Sequence, residues 1–598
     1  MTEKNILSAK DLTVIQHFPI EWIKLQPRKV EEILSTLSLE EKAKHVLSLP
    51  AVFQRELLVL CEDAVAVTQS IPAEEIYHLI KELGSEDSLI ILSMVSPEQL
   101  QYFFDLEWWQ SDKFQPERAM EWLELLDQCN EPETLGWFLN EDFDQKVMLL
   151  QSLIKVFKQD EMTNSYEGVE GLEHYSPDGV YDVFFKVKES KVIRKLLLLL
   201  ADKDIAFLYE LLEAVIWFPT TITLEKAYQW RLTRTSQRGI PEFEEAMGVY
   251  SSLNPDDLKQ EVPLSENFSG GKFSFSPQYP LTQALLSHFF GQCVKSLDSE
   301  ERLNAIRWEL VCLANKIMVA DKCDLSDLKI RQNAMRKAVG YVNIGLELGA
   351  LGDLEKGHSL VHQLWMQSLF QVGFEQLKQI RSKANLFLKE NGPFMEEFIS
   401  EDEKEKLGAL VLSFPQIVEK GEGDTAILWR DPESLDDIRA INKLLDRWAF
   451  NIRFAKQSLG LNTKTLELKW GGFDIPENGK LKFLTLFMTA FARHTLFKTL
   501  SCEPLTVSAA KSFLKVVFIA GIFQDEEKIV DEDKLSSFEQ ALLDTPMAWT
   551  KSDQGLLREL LAQCVATLEE QFGRLEFSRT IEWQYTDGLL ITYSHGEE

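Results

Sequence analysis

Between Pro27 and Phe157 the chain repeats one phrase: a cap, a short amphipathic stretch, a turn. Val30, Ile33, Leu34 and Leu37 fall at i, i+3, i+4 and i+7, and Ile76, Leu79, Ile80 and Leu83 repeat the spacing. That period lines up four apolar side chains on one face of a helix. Phe143, Val147, Leu150 and Ile154 continue the helical pattern. Ser38-Leu39-Glu40-Glu41 and Ser96-Pro97-Glu98-Gln99 both read as capping boxes, and Gly84 reads as a C-cap before Ser85 opens the next helix. Helices this short cannot each bury a face alone, whereas a stack of them encloses one continuous core. The expectation is an all-α fold that begins as an armadillo-like helical repeat, or superhelix.

One joint of this array runs from Asp105 to Leu126. Pro116 suits the first helical position, with Glu117 at the positive end of the helix dipole. Ala119, Trp122, Leu123 and Leu126 then form the buried face. Trp108 and Trp109 lie in the connection. Clustered tryptophans serve either as packing at a joint or as a protein-interaction hot spot, and both residues are candidates for the second role.

Beyond the array, Gln159–Asp178 reads as a loop and Glu189–Trp217 as a helix stopped by Pro219. In the next helix Arg231, Arg234 and Arg238, interleaved with Tyr228 and Trp230, form the most basic stretch. They suit an acidic partner, or else the chain's own carboxylates. Asn267-Phe268-Ser269-Gly270-Gly271 and its surroundings lack helical period and mark a linker. The expected organisation is 1–157 helical repeat, 158–257 helical continuation, 258–280 linker, 281–572 C-terminal helical domain and 573–598 tail. Asp353–Ala384 reads as one helix, or as two broken near Gly373. Thr465–Trp470 alternates weakly. The tail alternates on both sides of Asp587-Gly588, which predicts a small terminal β-hairpin docked on helices.

Charge narrows the function. With 63 Lys and Arg against 95 Asp and Glu, the formal net charge is −32. Such a surface repels a phosphate backbone or an anionic bilayer, so nucleic acid is not an expected partner. The apolar runs are too short to span a membrane and no signal peptide is recognised, so a cytoplasmic setting without membrane insertion is expected. The seven cysteines are scattered and form no CxxC, against a disulfide framework or zinc ribbon.

Few motifs carry chemistry. Glu355, His358 and His362 share one helix face, a spacing that suits a divalent metal, although HExxH is not present. The phosphate-binding GxxxxGK[ST], the dinucleotide GxGxxG and the hydrolase GxSxG are all missing from the sequence.

Two resemblances add to this. LSLEEKAKHVLSLP, IPAEEIYHLIKEL and VSPEQLQYFF make residues 28–157 resemble the intracellular N-terminal domain of MgtE-type magnesium transporters. The transporter's membrane helices have no counterpart here, so the likeness implies a helical array and magnesium sensing, not transport. Three blocks, DLEWWQSDKFQPERAMEWLELL, RLTRTSQRGIPEFEEAMGVYSSL and AVGYVNIGLELGALGDLEKG with its continuation, resemble an uncharacterised bacterial family of unknown function. That family implies architecture and no activity. The expected function is a non-catalytic interaction scaffold or regulatory subunit whose acidic surface takes a protein partner, a basic one by charge. The alternative is a metal-dependent enzyme or divalent-cation sensor built on Glu355, His358 and His362.

Overall fold

The computed structural model describes residues 19–129, 136–159, 168–176, 179–188, 191–260, 279–281, 288–395, 401–420, 427–462, 482–519, 528–575 and 588–592. The fold is all-α, with only small strands. It divides into two compact units, Met1–Phe374 and Glu375–Glu598. The division falls inside the helix Met366–Met395, and both flanks of 258–280 belong to the first unit. Of 258–280 itself only 258–260 and 279–280 are described.

In the first unit the expected caps are in place. The Ser38 hydroxyl accepts from the Glu41 N–H at 3.3 Å, and Glu41 accepts from the Ser38 N–H at 2.9 Å. Gln99 closes the second box and does more. Its side-chain amide also donates to the carbonyls of Thr68 at 3.0 Å and Ile71 at 2.8 Å, where the helix Ala64–Ser70 ends. One buried side chain thus satisfies the start of one helix and the end of another, removing orphan groups from both. Helices pack on the element two places along: Leu39–Leu47 on Ala64–Ser70, Ala51–Leu60 on Ala73–Leu83, and Ser85–Leu92 on Pro116–Gln128. The apolar faces merge into one core that extends from Ile23 to Ile240.

Two local expectations are corrected. Ile154 does not end a helix: the helix Phe143–Leu153 stops one residue earlier, and Ile154–Lys158 is a strand. It pairs antiparallel with Tyr181–Phe185, which pairs in turn with His174–Tyr175 inside the expected loop. Val156, Tyr181 and Val183 are buried, so tertiary packing rewards the β-branched and aromatic run that a helical period also accommodates. The helix expected over Glu189–Trp217 is broken at Asp204. Its carboxylate caps the Phe207 N–H at 3.0 Å and separates Lys191–Lys203 from Ile205–Trp217.

Later in the same unit, Glu300–Ala320 packs along Leu328–Ala350. Their connection is tied to the N-terminal stack: Arg118 pairs with Asp324 at 2.6 Å, and the Tyr77 hydroxyl donates to the Ser326 carbonyl at 3.2 Å. Asp353–Ala384, open between one helix and two broken near Gly373, is broken at Leu364 and Trp365, between Leu354–Gln363 and Met366–Met395.

The second unit is built on the helices Glu401–Leu410, Leu435–Gln457, Phe483–Phe497, Val507–Val517, Glu532–Leu543 and Lys551–Phe572. Its core is aromatic. Phe454 meets Phe487 at 5.7 Å, and Phe538 meets Phe491 at 5.0 Å. Ile417–Lys420 and Ile427–Arg430 form an antiparallel hairpin. The first arm of the expected terminal hairpin and the Thr465–Trp470 stretch lie outside the described residues. Ile591–Thr592, from the second arm, pairs in parallel with Leu505–Thr506. Among the described residues no single helix is long and apolar enough to cross a membrane.

Candidate binding groove

In the second unit, Ser434 starts the helix Leu435–Gln457 by accepting from the Asp437 N–H at 3.2 Å. Thr550 and Asp553 start Lys551–Phe572 with a capping box. The two helices touch, and a hollow opens along them. Trp448, Asn451, Ile452 and Ala455 follow at i, i+3, i+4 and i+7, so one face of the first helix lines the hollow. Leu556, Glu559, Leu560 and Gln563 repeat that spacing on the second. Phe483 and Leu484, at the start of Phe483–Phe497, add a third wall, and Glu403 adds a fourth.

This pocket holds about 450 Å³, within the range of ligand-binding clefts. Its floor is apolar and its rim is charged. The Trp448 indole N–H donates to Glu403 at 3.2 Å, which fixes the ring while its face stays with the floor. Leu556 and Glu559 also line a second, more open hollow of about 490 Å³, together with Arg439, Asn442, Lys443 and Asp446. Joined, the two make an elongated groove. Along the first helix it runs from Arg439 to Ala455, about 24 Å at the rise of an α-helix. Lys443 pairs with Glu559 across it at 2.9 Å, and Asp446 is held by Lys383 at 2.7 Å.

The sequence profile of a family described as of unknown function, DUF6178, matches residues 31–592. This chain belongs to the DUF6178 family. No curated protein and no solved structure matches it. The likeness of residues 28–157 to the magnesium-transporter domain finds no counterpart in these comparisons.

The residues singled out in the sequence of this DUF6178 member lie elsewhere, all in the first unit. Trp108 and Trp109 are only 4% and 5% exposed. Trp108 stacks on Phe104 at 4.0 Å and meets Trp137 edge-on at 5.4 Å. Trp109 and Phe114 face each other across a two-residue turn entered at Ser111, whose φ is 56°. The tryptophans therefore pack a joint.

Arg231, Arg234 and Arg238 meet this chain's own groups. Arg231 donates to the carbonyls of Asp105 at 2.7 Å and Ser111 at 3.1 Å, so it closes the end of the helix Pro97–Glu107 and the turn after it. Burial pulls its guanidinium below the ordinary value. Arg234 grips both carboxylate oxygens of Asp105, at 2.8 and 2.7 Å. Enclosure opposes the Arg234 charge, yet the bonds to Asp105 hold the group above its usual value. Arg238 pairs with Glu74 at 3.1 Å.

Glu355, His358 and His362 sit on Leu354–Gln363. Glu355 and His362 are exposed and His358 is half-buried. Among the described residues no three His, Cys, Asp or Glu side chains converge in a way that could hold a metal ion. The groove itself escaped the sequence reading. The helices that form it were expected, but an i, i+3, i+4, i+7 stripe does not say whether it meets another helix or is left open.

Proposed function

We propose that this protein is a non-catalytic interaction scaffold of the bacterial cytoplasm that holds a protein partner in the groove between Leu435–Gln457 and Lys551–Phe572. One observation carries this reading: an apolar floor with a charged rim, prolonged well beyond the footprint of a compact small molecule. Grooves of this kind take an amphipathic helix along their length. The stacked helices of the first unit fit the same role, and we read them as an armadillo-like frame.

The test places a photo-crosslinking residue at Gln563 in the groove and, as a control, at the exposed Val59 of the first unit. Each protein is recovered from its own host over a range of salt. The expected result is one stoichiometric partner crosslinked from Gln563. A stable partner captured only from Val59 sinks the groove reading. A stoichiometric divalent metal that disappears on His358→Ala, with no partner at any salt, favours the metal reading instead.

A further inference from the structure

Resting on that groove reading, the charge of the lining residues identifies the class of occupant. Across the protein acidic groups outnumber basic ones by 95 to 63. The groove reverses this balance. Arg439, Lys443, Arg447 and Lys482 face three carboxylates, those of Glu403, Asp446 and Glu559. The carboxylates are already engaged, Glu559 by Lys443, Asp446 by Lys383 and Glu403 by the Trp448 indole, and Arg439 is likewise held by Asp436 at 2.9 Å. Arg447 stands exposed on the rim, and no ion pair holds it among the described residues. We infer that the occupant is an acidic amphipathic helix, its aliphatic side chains on Trp448, Ile452, Leu556 and Leu560 and its carboxylates toward Arg447. A basic partner, which the net charge alone suggests, would meet like charge at this rim. Elsewhere the acidic surface turns an acidic helix away, so the groove is where the approach is favourable.

Two fluorescein-labelled synthetic helices of about 16 residues, long enough for the groove, test this on the full-length protein. Both carry leucine at i, i+3, i+4 and i+7; one has glutamate and glutamine on its other face, the other lysine and glutamine. Anisotropy is read for the wild type, Arg447→Glu and Leu556→Glu. The glutamate peptide is expected to bind the wild type, to weaken roughly tenfold with Arg447→Glu, less so at high salt, and to lose binding with Leu556→Glu. The lysine peptide should follow the general negative charge and ignore Leu556→Glu. If Leu556→Glu abolishes binding of the lysine peptide while the glutamate peptide never binds, the occupant's charge is overturned and the groove stands. If neither substitution alters either peptide, or neither peptide binds, the groove reading falls with it. Arg447→Glu, at an exposed position, carries the test should Leu556→Glu fail to fold.

Discussion

Gly345 and Gly373 face each other where Leu328–Ala350 crosses Met366–Met395, each with its Cα against the other helix's backbone. A Cβ on Gly345 would strike the Leu369 carbonyl oxygen, and one on Gly373 the Tyr341 carbonyl oxygen. Neither carbonyl is free to move, because both lie inside helices. Glycine is needed here for space, not for backbone freedom. Replacing a mid-helix glycine by alanine ordinarily stabilises by about 1 kcal/mol. At Gly345 or Gly373 the overlap should reverse the sign and cost about 2–4 kcal/mol. Gly408→Ala, at an exposed position inside Glu401–Leu410 with open space around it, should be neutral or mildly stabilising. Urea midpoints of the three variants check this, and a tolerated Gly345→Ala would contradict the crossing.

Gln99 joins two helix ends, and its amide is needed as a donor as well as an acceptor. Gln99→Glu keeps the acceptor for the Ser96 N–H but cannot donate to Thr68 and Ile71. A loss of about 1–3 kcal/mol is expected, from unpaired buried carbonyls facing a carboxylate. Ser96→Ala removes only the hydroxyl cap and should cost about 1 kcal/mol. Thermal unfolding that ranks the two the other way would show that the link between helices is unimportant.

Asp105 holds Arg234 by two bonds and is 3% exposed. Asp105→Ala leaves a largely enclosed guanidinium without its counter-charge, at a cost of about 3 kcal/mol. Removing both, as Asp105→Leu with Arg234→Met, should cost less than Asp105→Ala alone. A double-mutant cycle measures the coupling, and additive losses would mean the pair does not interact.

Acid should weaken the first unit through His78. Burial, helped by the Arg331 guanidinium, lowers its pKa from 6.5 to about 4. These outweigh Glu82, which lies 3.6 Å away, beyond hydrogen-bond range. Because the folded value is depressed, the unfolded chain binds more protons between these limits. Stability should therefore be full above pH 6.5 and fall as pH drops toward 4, by up to about 3 kcal/mol. His78→Phe keeps a ring against Tyr279, on which His78 stacks at 5.0 Å, and removes the titration. Stability compared at pH 7 and pH 5 should fall less in His78→Phe than in the wild type; equal falls would exclude His78.

The sequence by itself determined the helical class, the caps at Ser38 and Ser96, the start at Pro116 and the buried face of Ala119, Trp122, Leu123 and Leu126. These depend on neighbours within a turn or two, where spacing and side-chain chemistry are local. The partners of Arg231, Arg234 and Arg238 were open to either reading, because Asp105 and Glu74 are far away in the chain. Tertiary structure alone decided that Ile154 opens a strand, that Trp108 and Trp109 are buried and that the units divide near Phe374. It also left the stripe from Trp448 to Ala455 partly open. The reason is physical: a period of 3.6 residues creates an apolar face, but only the packing of distant elements decides what covers it.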